Sequence, residues 1–75
     1  VVGGDMVKNR LLEIRLQMGY KKQMDFADLL GMKKSYYNKL ENNKAVLTVD
    51  TLFEIAIKLN KQITDIVYYE DDPQE

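Results

Sequence analysis

Apolar positions recur along most of this 75-residue chain at intervals of three and four, the spacing of one face of a helix, and the alternation typical of a strand is almost absent. Val7, Leu11, Ile14 and Met18 predict a first helix over 6–18, closed by Gly19. Phe26, Ala27 and Leu30 form the inner side of a short second helix over 24–30, which Gly31 ends. Tyr37 and Leu40, three apart in an otherwise polar stretch, predict a third helix over 34–42. After the loop "NNKAVLT", Thr48 is a good N-cap for a fourth helix over 49–59, where Val49, Leu52, Ile55, Ala56 and Leu59 supply a broad apolar stripe and Asn60 can stop it. A fifth short helix is expected over 64–69, flanked by Ile63. The pattern describes one all-α, compact five-helix domain over 6–69. The Gly-rich residues 1–5 read as a frayed leader or expression remnant, with Met6 a candidate natural start, and "EDDPQE" at 70–75 reads as an acidic disordered tail.

The second and third helices are set close together. Ala27 puts a small side chain on one, and Gly31 puts a residue tolerant of positive φ in the connecting turn, so the next helix can cross it tightly. This is a helix-turn-helix. Its segment "QMDFADLLGMKKSYYNKLENNK" therefore raises the question of what its outer surface touches.

Composition narrows the answer. A chain this size buries only about 60% of its unfolded surface, which argues against a large internal active-site cavity. It has neither cysteine nor histidine, so a disulfide framework, a thiolate zinc site and the usual general base are all missing. Ser35 is the only serine and has no histidine to activate it. Glu70, Asp71 and Asp72 have the oxygens a hard cation takes, but a solvated tail is the simpler reading, and the methionines at 6, 18, 24 and 32 read as core filler. We expect no enzyme, no cofactor and no metal. Nor does any apolar run approach the ~20 residues of a membrane span, so the expectation is a cytoplasmic protein.

Charge changes the picture more. The net value of −1 hides an asymmetry: residues 1–44 carry nine Lys/Arg and five Asp/Glu, a balance of +4, while residues 45–75 carry two and seven, a balance of −5. One half can attract a polyanion while the other faces water or a partner.

The frame Gln23, Ala27, Gly31, Tyr37, Leu40 and Glu41, continuing through Thr48, Asp50, Leu52, Ile55, Ala56 and Leu59, resembles the lambda-repressor and Cro, or Xre-like, helix-turn-helix regulators. The resemblance runs from about Arg10 to Val67. It departs at Tyr37, where the family usually has Ile or Val, at Lys33 (a Ser or Thr cap), at Asn43 (glycine) and at Leu47 (often proline), and by one extra residue in "GYKKQ".

With Tyr37 and Leu40 taken as inward, Ser35, Asn38, Lys39 and Asn42 fall on the opposite arc of the third helix, with Lys34 and Tyr36 on its flanks. Residues near the N-terminal end of such a helix reach base edges, so the candidate base-reading set is Lys33, Lys34, Ser35, Tyr36, Asn38 and Lys39. Lysine can donate to guanine, asparagine can pair with adenine, and a tyrosine ring can touch a thymine methyl or a phosphate. The resemblance implies the same places through Lys34, Ser35 and Lys39, and it implies a phosphate anchor at Gln23. Lys22, Asn42, Asn43 and Lys44 complete the candidate phosphate contacts. Arg15 and Glu41 match family positions that pair with each other, which implies a scaffold ion pair and removes an acid from the DNA face.

A single module reads few base pairs, and two-fold dimers overcome this by presenting two recognition helices ~34 Å apart. Ile63, Ile66, Val67 and Tyr69 are candidate dimer-interface residues, with closure of the monomer core by the first three as the alternative. The expectation is a sequence-specific transcriptional regulator, a repressor that blocks polymerase from a near-palindromic operator, as found in bacteria, phages or mobile elements. Two other readings keep the fold: an antitoxin whose acidic C-terminal segment binds a basic toxin, and a protein-interaction module without DNA binding.

Overall fold

The computed structural model describes residues 7–70. The proposed leader at 1–5, and all of the acidic tail beyond Glu70, lie outside the described residues. The chain runs β1 (Val7–Asn9), α1 (Leu11–Gln17), α2 (Gln23–Leu30), α3 (Lys34–Glu41), α4 (Val49–Leu59), α5 (Ile63–Ile66) and β2 (Val67–Tyr69). Five helices follow in the expected order, and a two-stranded sheet is added to them.

That sheet corrects both ends of the helical reading. β1 pairs antiparallel with β2, Val7 opposite Tyr69, Lys8 opposite Tyr68 and Asn9 opposite Val67. The first helix therefore starts at Leu11, not near Met6, and the fifth is a single turn that ends at Ile66. Two local facts explain the early boundary. Asn9 uses its side-chain oxygen to accept the Leu11 N–H, as Asn does at helix starts, and the Arg10 N–H donates to the Ile66 carbonyl at 2.7 Å, tying the junctions of the two strands together. Val7, which had fitted the helical period, is exposed in the sheet. At the other end, the run "VYY" is β-branched and aromatic and suits a pleated strand once a partner is present.

The core gathers Leu11 and Ile14 of α1, Phe26, Ala27 and Leu30 of α2, Tyr37 and Leu40 of α3, Ile55, Ala56 and Leu59 of α4, and Ile66 of α5. Tyr20, Phe26 and Tyr37 form an aromatic row with centroids 5.3 and 5.5 Å apart, the second contact edge-to-face. Two methionine assignments are corrected: Met18 and Met24 are exposed, and only Met32 packs against the core. Met6 lies outside the described residues. No helix among the described residues is long and apolar enough to cross a membrane.

Caps fix the helix ends. Thr48 Oγ1 accepts the Thr51 N–H at 3.2 Å, and Asn60 closes α4 in the left-handed region at φ 57°. Gly31, at φ 75°, turns the chain out of α2, and the Met32 N–H returns to the Ala27 carbonyl at 2.9 Å. Lys58 reaches across from α4 to donate to the Leu30 carbonyl at 2.7 Å, so a cation sits on the C-terminal end of α2. Gln62 and Asp65 form a capping box on α5.

Candidate nucleic-acid interface

Helix α3 has two different sides. Tyr37 and Leu40 are fully buried, and Lys33, Lys34, Ser35, Tyr36 and Lys39 stand exposed on the other side. Asn42, Asn43, Lys44 and Lys22 are exposed as well. Among the described residues none of these lysines is paired with a carboxylate, so their charge is free to act on a polyanion. Asn43 adopts φ 59°, the left-handed conformation that the turn after α3 requires, and its side-chain oxygen accepts from Asn9 Nδ2 at 3.2 Å. Asn9 Nδ2 also donates to the Leu40 carbonyl at 2.7 Å, so β1 holds the end of α3. Nothing in the residue pattern marked Asn9 for this role, because its partners lie more than thirty positions away.

The polar centre of the motif is Glu41. Arg15 Nε donates to its Oε2 at 2.8 Å and Arg15 Nη2 to its Oε1 at 3.4 Å, the Tyr37 hydroxyl donates to Oε2 at 2.6 Å, and Gln23 Nε2 donates to Oε1 at 2.6 Å. The side chains of the ion pair are only 8% and 5% exposed. Arg15 spends its remaining reach on the carbonyls of Tyr20 and Lys21, at 3.1 and 2.8 Å, which clamps the longer α1–α2 turn. Burial by itself would raise the Glu41 carboxyl, but hydrogen bonds from Arg15, Tyr37 and Gln23, with the charge of Arg15, outweigh it and hold the group below the usual carboxylate range. The hydrogen bond to Glu41 raises Arg15 against the opposing effect of burial. Burial first, then the hydrogen bond to Glu41, pushes the Tyr37 phenol up. All three groups therefore keep their neutral-pH states, and the Tyr37 hydroxyl has its partner inside the fold. Among the described residues, no buried side-chain polar atom lacks a hydrogen-bond partner.

Two of the candidate DNA contacts belong partly to this centre. Gln23 and Asn38 are half-buried, and Asn38 Nδ2 donates to Gln23 Oε1 at 3.1 Å. Gln23 thus bridges the recognition helix and Glu41, and its remaining amide hydrogen and the free backbone N–H groups of the first turn of α2 are what it can offer a phosphate.

Residues 11–66 match the family described as helix-turn-helix, three quarters of the chain. The chain belongs to the helix-turn-helix family, of the Xre and lambda-repressor type. No curated protein matches it. Membership makes this a DNA-binding helix-turn-helix regulator, and α2 and α3 are its helix-turn-helix.

At the C-terminal end the dimer candidates separate. Ile66 is 0% exposed and belongs to the core of a single chain, so it offers no surface to a second one. Ile63 and Val67 are half-buried against that core, and Tyr69 is exposed on β2. Other exposed apolar side chains lie nearby in sequence: Val46 at 79% and Ile57 at 76%, with Val49 and Phe53 also exposed.

Proposed function

We propose that this regulator is a repressor that binds a near-palindromic operator as a homodimer, with α3 in the major groove. Lys33, Lys34, Ser35, Tyr36, Asn38 and Lys39 read base edges, and Lys22, Gln23, Asn42, Asn43 and Lys44 meet the phosphates. The observation that carries the reading is the charge of the α3 surface: its lysines are exposed and, among the described residues, unpaired, and its one acid, Glu41, is turned inward and satisfied by four donor bonds. A second copy of the chain is supported by the exposed apolar side chains of the C-terminal half. Val46 and Val49 line, with Val7 and Val67, a cleft of about 590 Å³, and Phe53 and Ile57 continue the apolar surface along α4. These stand where the buried Ile66 cannot.

The test is selection of bound duplexes from a random pool, followed by titration of the winner at several salt concentrations and by sedimentation of the free and bound protein. A two-fold site with half-sites about one turn apart, a two-to-one complex and affinity that falls steeply with salt are the expected results. Lys34→Ala and Lys39→Ala should each weaken binding without lowering the melting temperature. Binding indifferent to both substitutions, or a monomer saturating a single half-site, would sink this geometry.

A further inference from the structure

The contacts around Glu41 have a direction. A carboxylate only accepts hydrogen bonds, so the Gln23 amide must turn its nitrogen toward Glu41, as the 2.6 Å bond from Nε2 to Oε1 shows. The Gln23 oxygen is then left facing α3. An oxygen there demands a donor, and Asn38 supplies Nδ2 at 3.1 Å. Asn38 Oδ1 makes no hydrogen bond among the described residues, where no buried side-chain polar atom lacks a partner, so it is open to solvent, and Asn38 itself sits half-buried on the outward arc of the recognition helix. Turning the Asn38 amide over would set two oxygens against each other, and turning both amides would set Gln23 Oε1 against the carboxylate. Each lost bond makes the turned state rarer by roughly tenfold.

We propose that Glu41, acting through Gln23, locks the Asn38 amide with its oxygen toward the DNA, so that Asn38 selects bases carrying an exocyclic amine in the major groove. The proposal rests on the DNA-binding reading above and adds a rule of specificity to it. An asparagine free to rotate can offer its nitrogen to guanine O6 or thymine O4 as readily as its oxygen to adenine N6 or cytosine N4. A locked one presents its oxygen outward, with at most one N–H left beside it, the acceptor–donor pair that adenine N6 and N7 match. Against guanine or thymine, the fixed oxygen meets another acceptor. Adenine and cytosine each place an amine where that oxygen can use it. Glu41 and Gln23 are positioning residues here, and Asn38 is the group that touches the base.

The experiment compares duplexes selected from a random pool by the unaltered chain, Asn38→Ala and Gln23→Leu, with each variant's melting temperature taken alongside. One base position per half-site should show adenine or cytosine with the unaltered chain, lose its preference with Asn38→Ala, and admit guanine or thymine with Gln23→Leu while the other positions stay fixed. The unaltered chain is then titrated against its own best duplex with that one base replaced, adenine by purine or cytosine by its analogue lacking the N4 amine. Affinity should fall by about 5- to 100-fold, and the analogue that does so identifies which base is read. This arm needs no variant to fold. Guanine or thymine at the Asn38-dependent position, removal of the amine without effect, or a Gln23→Leu variant that keeps the full preference would each overturn the lock. Preferences untouched by Asn38→Ala would overturn the role of Asn38 itself. Failure of the unaltered chain to enrich any duplex would instead overturn the DNA-binding reading, and this inference with it.

Discussion

Helix α3 buries only Tyr37 and Leu40 of its eight residues and starts at Lys33 without a side-chain cap, whereas α4 is capped by Thr48 and buries Ile55, Ala56 and Leu59 along one stripe. Neither amount of burial is large. What separates the two helices is the means of attachment. α4 is held mainly by apolar area and by good local signals at both ends, with the Lys58 bond to the Leu30 carbonyl beside them, and apolar contacts tolerate small shifts because they have no direction. α3 presents a polar, lysine-rich surface outward and is fixed from within by directed bonds: three from Arg15 and Gln23 to Glu41, one from Asn38 to Gln23, one from Asn9 to the Leu40 carbonyl. A helix that must offer its polar side to a ligand has little apolar surface left for packing, and directed bonds fix its rotation more narrowly than greasy contacts could.

The contrast is broken most severely at the ion pair. Arg15→Met strands a buried carboxylate and should cost about 3–5 kcal/mol, a large part of the roughly 4–11 kcal/mol expected for a domain of this size. Urea unfolding of the variant should show most of its stability gone, and a loss below about 1 kcal/mol would mean that the pair is solvated after all.

The same centre should make the domain sensitive to acid. Glu41 titrates lower in the folded chain than its ordinary value of 4.5, so its contribution is complete above that value and is lost as the pH falls through the folded-state pKa. Melting temperature measured from pH 7 downward should fall more steeply below 4.5 for the natural chain than for Glu41→Gln, which lacks the titrating group. Parallel curves would assign the acid sensitivity to other carboxylates.

Tyr37→Phe is gentler, since the ring keeps its edge-to-face contact with Phe26 and only the donor to Glu41 goes. The expected loss is about 1.5–3 kcal/mol, the range for a hydrogen bond to a charged group. Thr48→Ala tests the other side of the comparison. It removes one cap from a helix that its apolar stripe still holds, at a cost of about 1 kcal/mol, with DNA affinity unchanged once the protein is folded. If Thr48→Ala proved costlier than Tyr37→Phe, the assignment of directed bonding to α3 and apolar attachment to α4 would have to be reversed.

The residue pattern located α4 over 49–59 and both ends of the α2–α3 turn at Gly31, since caps, glycine and helical period are local properties written into neighbouring residues. For the same reason its failures in placing elements fall at the two ends of the chain. Val7 sits four residues before Leu11 and satisfies the helical period, yet it lies in β1 because a strand sixty positions later, with Tyr69 opposite it, competes for that backbone. For Ile66 the pattern left both a dimer interface and closure of the monomer core open, because apolarity in a sequence does not say which surface will cover it, and the fold of one chain covers it completely.

The site divides in the same way. The period of α3 determines which side chains face outward, and the uneven distribution of charge determines that this surface attracts an anion. The family resemblance implied the pairing of Arg15 with Glu41, but only the tertiary structure brings Gln23 and the Tyr37 hydroxyl onto the same carboxylate, and only there does the Asn38 amide acquire a direction. The physical reason is one of range: periodicity, capping and charge act between residues close in sequence, whereas strand pairing, burial of a particular methyl group and the orientation of an amide depend on groups that meet only when the chain has folded.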